Sequence, residues 1–277
     1  MPPENELADV PVVDHISDSK ALQLAAKTFI NFGCLVIKSV FENNFIEQAY
    51  AEYMKEHRDH FLEGGLNNDL YVGDRRIMIP LHLKGVFNSP DFYANPRVYP
   101  LMNFLLGNDV ILNSLGSVVS LPGAKEQHIH IDYPNIYTAL ETYNSDMSWI
   151  GKAPPYAVTM GIPLIPMNPE TGCTRFWPGS HLDPHSSLDN PIDLYADAGS
   201  CVLFDYRIVH CGLANTSQQI RPLLYNVYSR PWFRDSLNFH KHDPLVVSSE
   251  LVSQIPEEHR HLVDWMLDAK TRGAINA

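Results

Sequence analysis

The second half of the chain constrains its fold most. From about residue 109 it reads as short strand-like runs: "VILNSLGSVVSLPG", "EQHIHIDYP", "YAVTMGIPLIPM", "TRFWPGSH", "GSCVLFDYRIVH" and "RPLLYNVYSRPWF". Gly, Pro and Asn turns split them. Repeated short strands with turn signals predict a sandwich or a barrel. The first half differs. Residues 1–12 are Pro-rich and acidic and are expected to form an arm. "DSKALQLAAKTFINFG" predicts an amphipathic helix stopped by Gly33. "CLVIKSV" predicts a strand, "ENNFIEQAYAEYMKEHRDHFLEGG" a second helix, and "NPRVYPLMNFLLGND" another. "PEEHRHLVDWMLDAKTRG" predicts a closing helix. With 277 residues and no repeat or clear linker, one domain is expected. Its parts would be the arm, a helical N-terminal part over 13–108, a β-barrel core over 109–235 and a C-terminal helical extension over 236–277.

Charge narrows the partners. Net charge is −12, from 32 acidic and 20 basic residues. Nucleic acid and anionic membrane both need a basic footprint, so neither is expected as a main partner. The four cysteines form no CxxC pair, which leaves a zinc ribbon or redox dithiol unsupported and suggests a reducing compartment. The N-terminal stretch lacks the basic and apolar regions of a secretory signal. No apolar run approaches the roughly 20 residues of a membrane helix. A cytoplasmic protein is expected.

The stretch "AKEQHIHIDYPN" places His128, His130 and Asp132 at alternate positions. On a strand these share one face. The chain holds three His-x-Asp triplets: His57/Asp59, His130/Asp132 and His181/Asp183. Helical residues two apart diverge around the axis, so His57 and Asp59 cannot share an ion and are read as a solvated helix face. "HRD" at this point lacks the Asn and the Gly-rich loop of a kinase. His181/Asp183, in "WPGSHLDP", reads as a turn with His181 hydrogen-bonded inside it. His130/Asp132 remain as two ligands on one face. A third must come from elsewhere, and an open position would mark catalysis rather than structure. His128, His181, His185 and His210 are candidates.

His210 is the best of them. It closes the predicted strand "SCVLFDYRIVH", and Arg221 opens the next one. A hairpin would set Arg221 beside the first strand, near the metal. An Arg fork there suits a carboxylate. Two histidines, one carboxylate and a nearby Arg describe a non-haem iron triad with a place for an acidic co-substrate. His128 reads as a surface neighbour of this set, and Cys211 as a small core hydrophobe. Trp149, Trp177 and Trp232 read as core, and "HKHD" at 240–243 as a solvated loop.

At this point the chain resembles the phytanoyl-CoA dioxygenase (PhyH) family of Fe(II)/2-oxoglutarate oxygenases. The likeness runs over about residues 15–235 and rests on "QHIHIDYP", "TGCTRFWPGSH" and "FDYRIVHCGLANTSQQIRP". It implies a double-stranded β-helix, the cupin-like jelly-roll barrel, with flanking helices. It implies Fe(II) held by His130, Asp132 and His210, and 2-oxoglutarate held at its distal carboxylate by Arg221. Gln127 and Thr174 would sit near the co-substrate, though strict alternation turns Gln127 away from His130 unless a bulge intervenes. Tyr133, and Arg76 near the pocket mouth, would meet substrate. With Asp in the acid position, a halide-binding site is disfavoured. The implied reaction oxidises a small molecule, as in secondary metabolism, by hydroxylation first of all, while O2 and 2-oxoglutarate become succinate and CO2. Desaturation, epoxidation and endoperoxide formation use the same residues. A homodimer is compatible with all of this. A cupin-type metal enzyme without 2-oxoglutarate would have no need of Arg221. A non-catalytic barrel protein would tolerate loss of a ligand.

Overall fold

The computed structural model describes residues 11–62, 69–133, 153–183, 185–238, 245 and 247–267. Most of the expected arm, Trp149 and the "HKHD" loop lie outside the described residues. Pro11 and Val12 are described, and Val12 is no arm residue. It opens β1 (Val12–Asp14), which pairs in parallel with β2 (Cys34–Lys38).

The helices form where capping and periodicity ask for them. Asp18 accepts hydrogen bonds from the Lys20 and Ala21 amides at 2.9 and 2.8 Å and starts α1 (Ser19–Phe32). Gly33 ends it in the left-handed region at φ 75°. Then come α2 (Asn43–Glu56), α3 (Pro90–Tyr93), α4 (Tyr99–Leu106) and α5 (Ser249–Gln254). α2 is shorter than its periodicity predicts. His57 ends it, 6% exposed and packed at a tilt against Tyr53 with ring centroids 4.6 Å apart. The solvated reading of His57 is therefore corrected: tertiary packing covers it. The predicted closing helix is corrected in its first part only: residues 264–267 are helical, and 268–273 lie outside the described residues. Residues Glu257–Leu262 form a 3-10 turn behind α5. Among the described residues, no helix is long and apolar enough to cross a membrane.

The remaining strands are β3 (Leu70–Tyr71), β4 (Arg76–Pro80), β5 (Ile111–Ser120), β6 (Ala157–Pro163), β7 (Thr174–Phe176), β8 (Ile192–Leu194), β9 (Cys201–Asp205), β10 (His210–Gly212) and β11 (Arg221–Ser229). Eight form one mixed sheet in the order β1-β2-β9-β6-β11-β5-β4-β3. Three form a small antiparallel sheet, β10-β7-β8.

Period-two alternation gives the large sheet two faces with different tasks. Ile77, Ile79, Leu115, Val119, Leu224 and Tyr228 join Phe29, Ala49, Tyr53, Leu101 and Leu105 of the helices in the main core. Each such fully buried apolar side chain is worth about 1.5–3 kcal/mol. The alternate positions, among them Arg76, Met78, Gly116, Val118, Arg221, Tyr225 and Val227, line a cavity of about 380 Å³. The small sheet contributes Thr174, His210 and Gly212 to the same cavity, which also borders residues 127, 128 and 130–132.

Candidate metal site and anion pocket

The structure brings His130, Asp132 and His210 together. Each offers one ligand atom, and the three atoms lie within 4.8 Å of one another. The expected strand around His130 is corrected to an extended segment with a single antiparallel bridge, His130 to His210. Their amide–carbonyl bonds are 3.0 and 2.9 Å long, so the third residue of the set is delivered by direct pairing with the first. Free of a regular ladder, the segment turns Gln127, His128, His130 and Asp132 all to the cavity.

His210 also arrives differently from its expected place. β9 ends at Asp205, and the chain turns before β10 begins at His210 on the other sheet. A buried pair braces that turn: Arg207 Nε and Nη2 donate to Asp205 Oδ1 and Oδ2 at 2.8 and 2.7 Å. Nor does β11 pair with β9; it lies between β5 and β6. Arg221 and His210 therefore face one cavity from different sheets, and the hairpin reading is corrected.

Both imidazoles are oriented in the same way. His130 Nδ1 lies 2.9 Å from the His128 carbonyl, and His210 Nδ1 lies 3.0 Å from the Ile208 carbonyl. A carbonyl only accepts, so each Nδ1 carries a proton, and in the neutral ring each Nε2 presents a lone pair. Burial, then the neighbouring His210, lowers the His130 pKa and favours the neutral ring. Asp132 Oδ1 is 3.5 Å from His210 Nε2, while Thr159 Oγ1 reaches Asp132 Oδ2 at 3.4 Å. Asn238 Nδ2 donates to the Asp132 carbonyl at 2.8 Å. Two neutral nitrogens and one carboxylate fit an Fe(II)-type ion and leave positions open for other ligands.

Arg221 is 2% exposed, and the only polar partner of its guanidinium among the described residues is Ser120 Oγ, 2.9 Å from Nη2. Its Nε and Nη1 have no acceptor among the described residues. A buried cation without a carboxylate is costly, which makes this end of the cavity a place for an anion. Burial lowers its pKa. The donor pattern fits the end group of a dicarboxylate such as 2-oxoglutarate.

The other expected residues fall on several sides. Thr174 lines the cavity from β7. Gln127 also lines it, but its amide is held: Nε2 donates to the Val72 carbonyl at 2.9 Å, and Oε1 accepts from the Gly212 amide at 3.0 Å. Arg76 is not at the mouth. It is fully buried beside Arg221 and donates to Ser120 and to the carbonyls of Lys125, Gly212 and Leu213. Tyr133 packs edge-on against Phe233, centroids 5.0 Å apart, and is not among the residues lining the cavity. His181 reaches out of its turn to bond the Ile30 carbonyl at 3.0 Å, at the end of α1. Its neighbour Ser180 accepts from the Val209 amide at 2.9 Å, next to His210. Cys211 is buried with Sγ 3.7 Å from Glu126 Oε1, whereas Trp232 is exposed rather than core. Sequence reasoning missed Thr159, Asn238 and Ser120. Only strand register or a long-range contact singles them out.

Comparison with known proteins points one way. The sequence profile of the family described as "Phytanoyl-CoA dioxygenase (PhyH)" matches residues 29–223. A curated protein, Dioxygenase af480 of Aspergillus fumigatus, is 26% identical over 176 residues, covering 60% of this chain and 53% of that protein. The chain thus matches about half the length of this relative. The solved structure of the epimerase SnoN in complex with Fe3+, alpha ketoglutarate and nogalamycin RO superposes with a TM-score of 0.55 at 20% identity, covering 83% of this chain and 94% of SnoN. HygX from Streptomyces hygroscopicus, solved with nickel and 2-oxoglutarate bound, superposes with a TM-score of 0.56 at 16% identity over 76% of this chain and 87% of HygX. These two likenesses establish the fold.

Proposed function

This chain belongs to the phytanoyl-CoA dioxygenase (PhyH) family, and on that premise we propose that it is an Fe(II)/2-oxoglutarate-dependent dioxygenase that hydroxylates an unactivated C–H bond of a small organic molecule. The whole chain is read as one such domain. Its two sheets are read as the walls of a double-stranded β-helix. One observation carries the assignment: the His130–Asp132–His210 donor set and the uncompensated Arg221 guanidinium face one cavity of about 380 Å³. That size suits a small-molecule site, for which about 300–1,000 Å³ is usual.

The iron held there would supply activation of O2, coupled to conversion of 2-oxoglutarate to succinate and CO2. The protein's part follows from its side chains. His130 and His210 present neutral nitrogens, fixed by their carbonyl partners. Asp132 contributes the single negative charge, held by Thr159. Arg221 binds the distal carboxylate where charge–charge attraction is little screened. Met78, Val118, Phe204 and Val227 line the space around the reacting groups and keep water from them.

The test needs no substrate. Fe(II) and 2-oxoglutarate are added to the protein without oxygen, and the weak visible charge-transfer band of the chelate is sought. The band should require His130 and His210, and Arg221→Ala should demand far more 2-oxoglutarate to reach it. Iron bound through the histidines with no band would sink the assignment in favour of a 2-oxoglutarate-independent metal enzyme. With a substrate in hand, product mass separates hydroxylation, which adds one oxygen atom, from the unchanged mass of an epimerisation such as SnoN's name describes.

A further inference from the structure

Asp235 is a buried carboxylate, 6% exposed, with no cation hydrogen-bonded to it among the described residues. Four neutral donors fill it instead. The Leu237 and Asn238 amides donate to Oδ1 at 3.0 and 2.9 Å. The Tyr206 hydroxyl and Asn238 Nδ2 donate to Oδ2 at 2.9 and 2.7 Å. A carboxylate has about four lone-pair sites, so Asp235 has none left. In filling itself it commits the protons of two residues that line the cavity, Tyr206 and Asn238. The Tyr206 hydroxyl has one proton, and Asp235 takes it. The Asn238 amide has two. One goes to Asp235 and the other to the Asp132 carbonyl at 2.8 Å. Both partners only accept, which fixes the end of the amide that is nitrogen. The two side chains therefore offer the cavity acceptor capacity alone, through the Tyr206 oxygen and Asn238 Oδ1. No donor among the described residues reaches either atom.

We propose that Tyr206 and Asn238 bind a hydroxyl group of the substrate and that Asp235 positions them, an inference that rests on the oxygenase reading above. The pair stands at the metal end of the cavity. Asn238 holds the carbonyl of Asp132, a proposed ligand, and Tyr206 lies on the turn that leads from β9 to His210. Packing fixes the Tyr206 ring: it is 3% exposed and meets Phe233 and Tyr156 edge-on, with centroids 5.9 and 6.5 Å apart. Acceptors with no donor of their own select an O–H. An ether or a carbonyl brings only lone pairs and leaves both sides unpaired. An ammonium group brings donors, but it would find no counter-charge. The charge of Asp235 is already spent on four donors, and Met78, Val118, Ile131, Phe204 and Val227 make the neighbouring wall apolar. The substrate is thus an uncharged alcohol, and its hydroxyl sets the oxidised C–H bond beside a carbon that already carries oxygen.

The probes are cyclohexanol, cyclohexyl methyl ether and cyclohexanone, one ring with and without a donor. Each is added to protein loaded with Mn(II) and 2-oxoglutarate, and NMR measures how strongly the metal relaxes its protons, with Zn(II)-loaded protein as the blank. The wild type should relax the alcohol about fivefold more than the ether or the ketone, the size of one net hydrogen bond. Cyclohexylammonium should be relaxed less than the alcohol; the reverse order overturns the choice of a hydroxyl. Tyr206→Phe and Asn238→Ala should each lower the alcohol-to-ether ratio towards one, and Asp235→Asn, which puts a donor where an acceptor was, should lower it as well. A merely structural role would weaken every probe together and leave the ratio unchanged. Where Asn238→Ala fails to fold or to hold Mn(II), Tyr206→Phe decides alone, because its hydroxyl bonds no metal ligand. A wild type that relaxes all the neutral probes alike, or none of them, overturns the inference and leaves the oxygenase assignment standing. So does an alcohol preference that survives in both Tyr206→Phe and Asn238→Ala. Failure of the assignment shows elsewhere, as iron bound with no chelate band.

Discussion

Removing Arg221 should make the protein more stable while it destroys co-substrate binding. The side chain is 2% exposed, and two of its three nitrogens lack an acceptor among the described residues. Each buried donor left unpaired costs about 1–3 kcal/mol, and the bond to Ser120 that would be lost returns only about 0.5–1.5 kcal/mol. Arg221→Met keeps a straight apolar stem and leaves Ser120 bonded to Arg76. The net gain is about 2 kcal/mol. With unfolding entropy near 2.1 cal/mol/K per residue, that raises the melting temperature of a chain this size by about 3 °C. Saturation works the other way. At a hundred times its dissociation constant, 2-oxoglutarate adds about 2.7 kcal/mol to the wild type, or about 5 °C. Thermal melts of both proteins, loaded with Mn(II), should therefore cross: the variant is higher without 2-oxoglutarate, the wild type with it. A variant that melts below the wild type in the absence of co-substrate would refute the reasoning, because Arg221 would then already be satisfied. So would a variant that gains as much from 2-oxoglutarate as the wild type does.

Two further outcomes follow from packing and from burial. Gly33→Ala places a Cβ 2.4 Å from His181 Nδ1 at φ 75°, so it should destabilise by at least about 2 kcal/mol from backbone strain and the displaced imidazole. Because Ser180 holds the Val209 amide beside His210, urea unfolding should shift and Fe(II) affinity should fall in the same variant. His57 supplies the pH dependence. Burial lowers its pKa from 6.5 to about 4, so the fold prefers the neutral ring. Its contribution is complete above pH 6.5 and is lost as pH falls towards 4, because the unfolded chain takes up the proton first; by pH 5 the loss is about 2 kcal/mol. Urea midpoints of the metal-free protein should drop accordingly between pH 7 and 5, and His57→Phe should flatten that slope. An equal slope in the variant would assign the effect to other groups.

The sequence made some of this legible and hid the rest for physical reasons. Local signals held up well. Asp18 and Gly33 bound α1 because capping needs only neighbouring residues. The family was readable because its motifs sit on short continuous stretches inside residues 29–223. Exposure was less readable. His57 looked solvated because helical geometry says which way a side chain points, not what covers it; Tyr53 covers it. Trp232 looked like core because large aromatic rings usually are, yet it is 61% exposed. His181 does lie in the expected turn, but the partner of its side chain, the Ile30 carbonyl, is 151 positions away, beyond the reach of any local signal.

The cavity itself is divided in the same way. The His-x-Asp pair lies within one stretch, so its convergence needs no knowledge of the fold. His210 joins it through one backbone bridge, which a strand reading can suggest but cannot align. The anion end is wholly a matter of register. Arg76, Ser120 and Arg221 come from three strands and meet because Ser120 is paired on both sides, with β4 and with β11. A slip of one residue in either pairing would turn one arginine to the helical face, where a bare cation has no partner. Burial of two guanidinium groups with no carboxylate hydrogen-bonded to either among the described residues is therefore strong grounds for a ligand. A hydrophobic residue at 221 would fill this core at lower cost, and the fold keeps a cation there instead. On the proposed reading, the free energy that offsets it comes from an anion that enters the cavity.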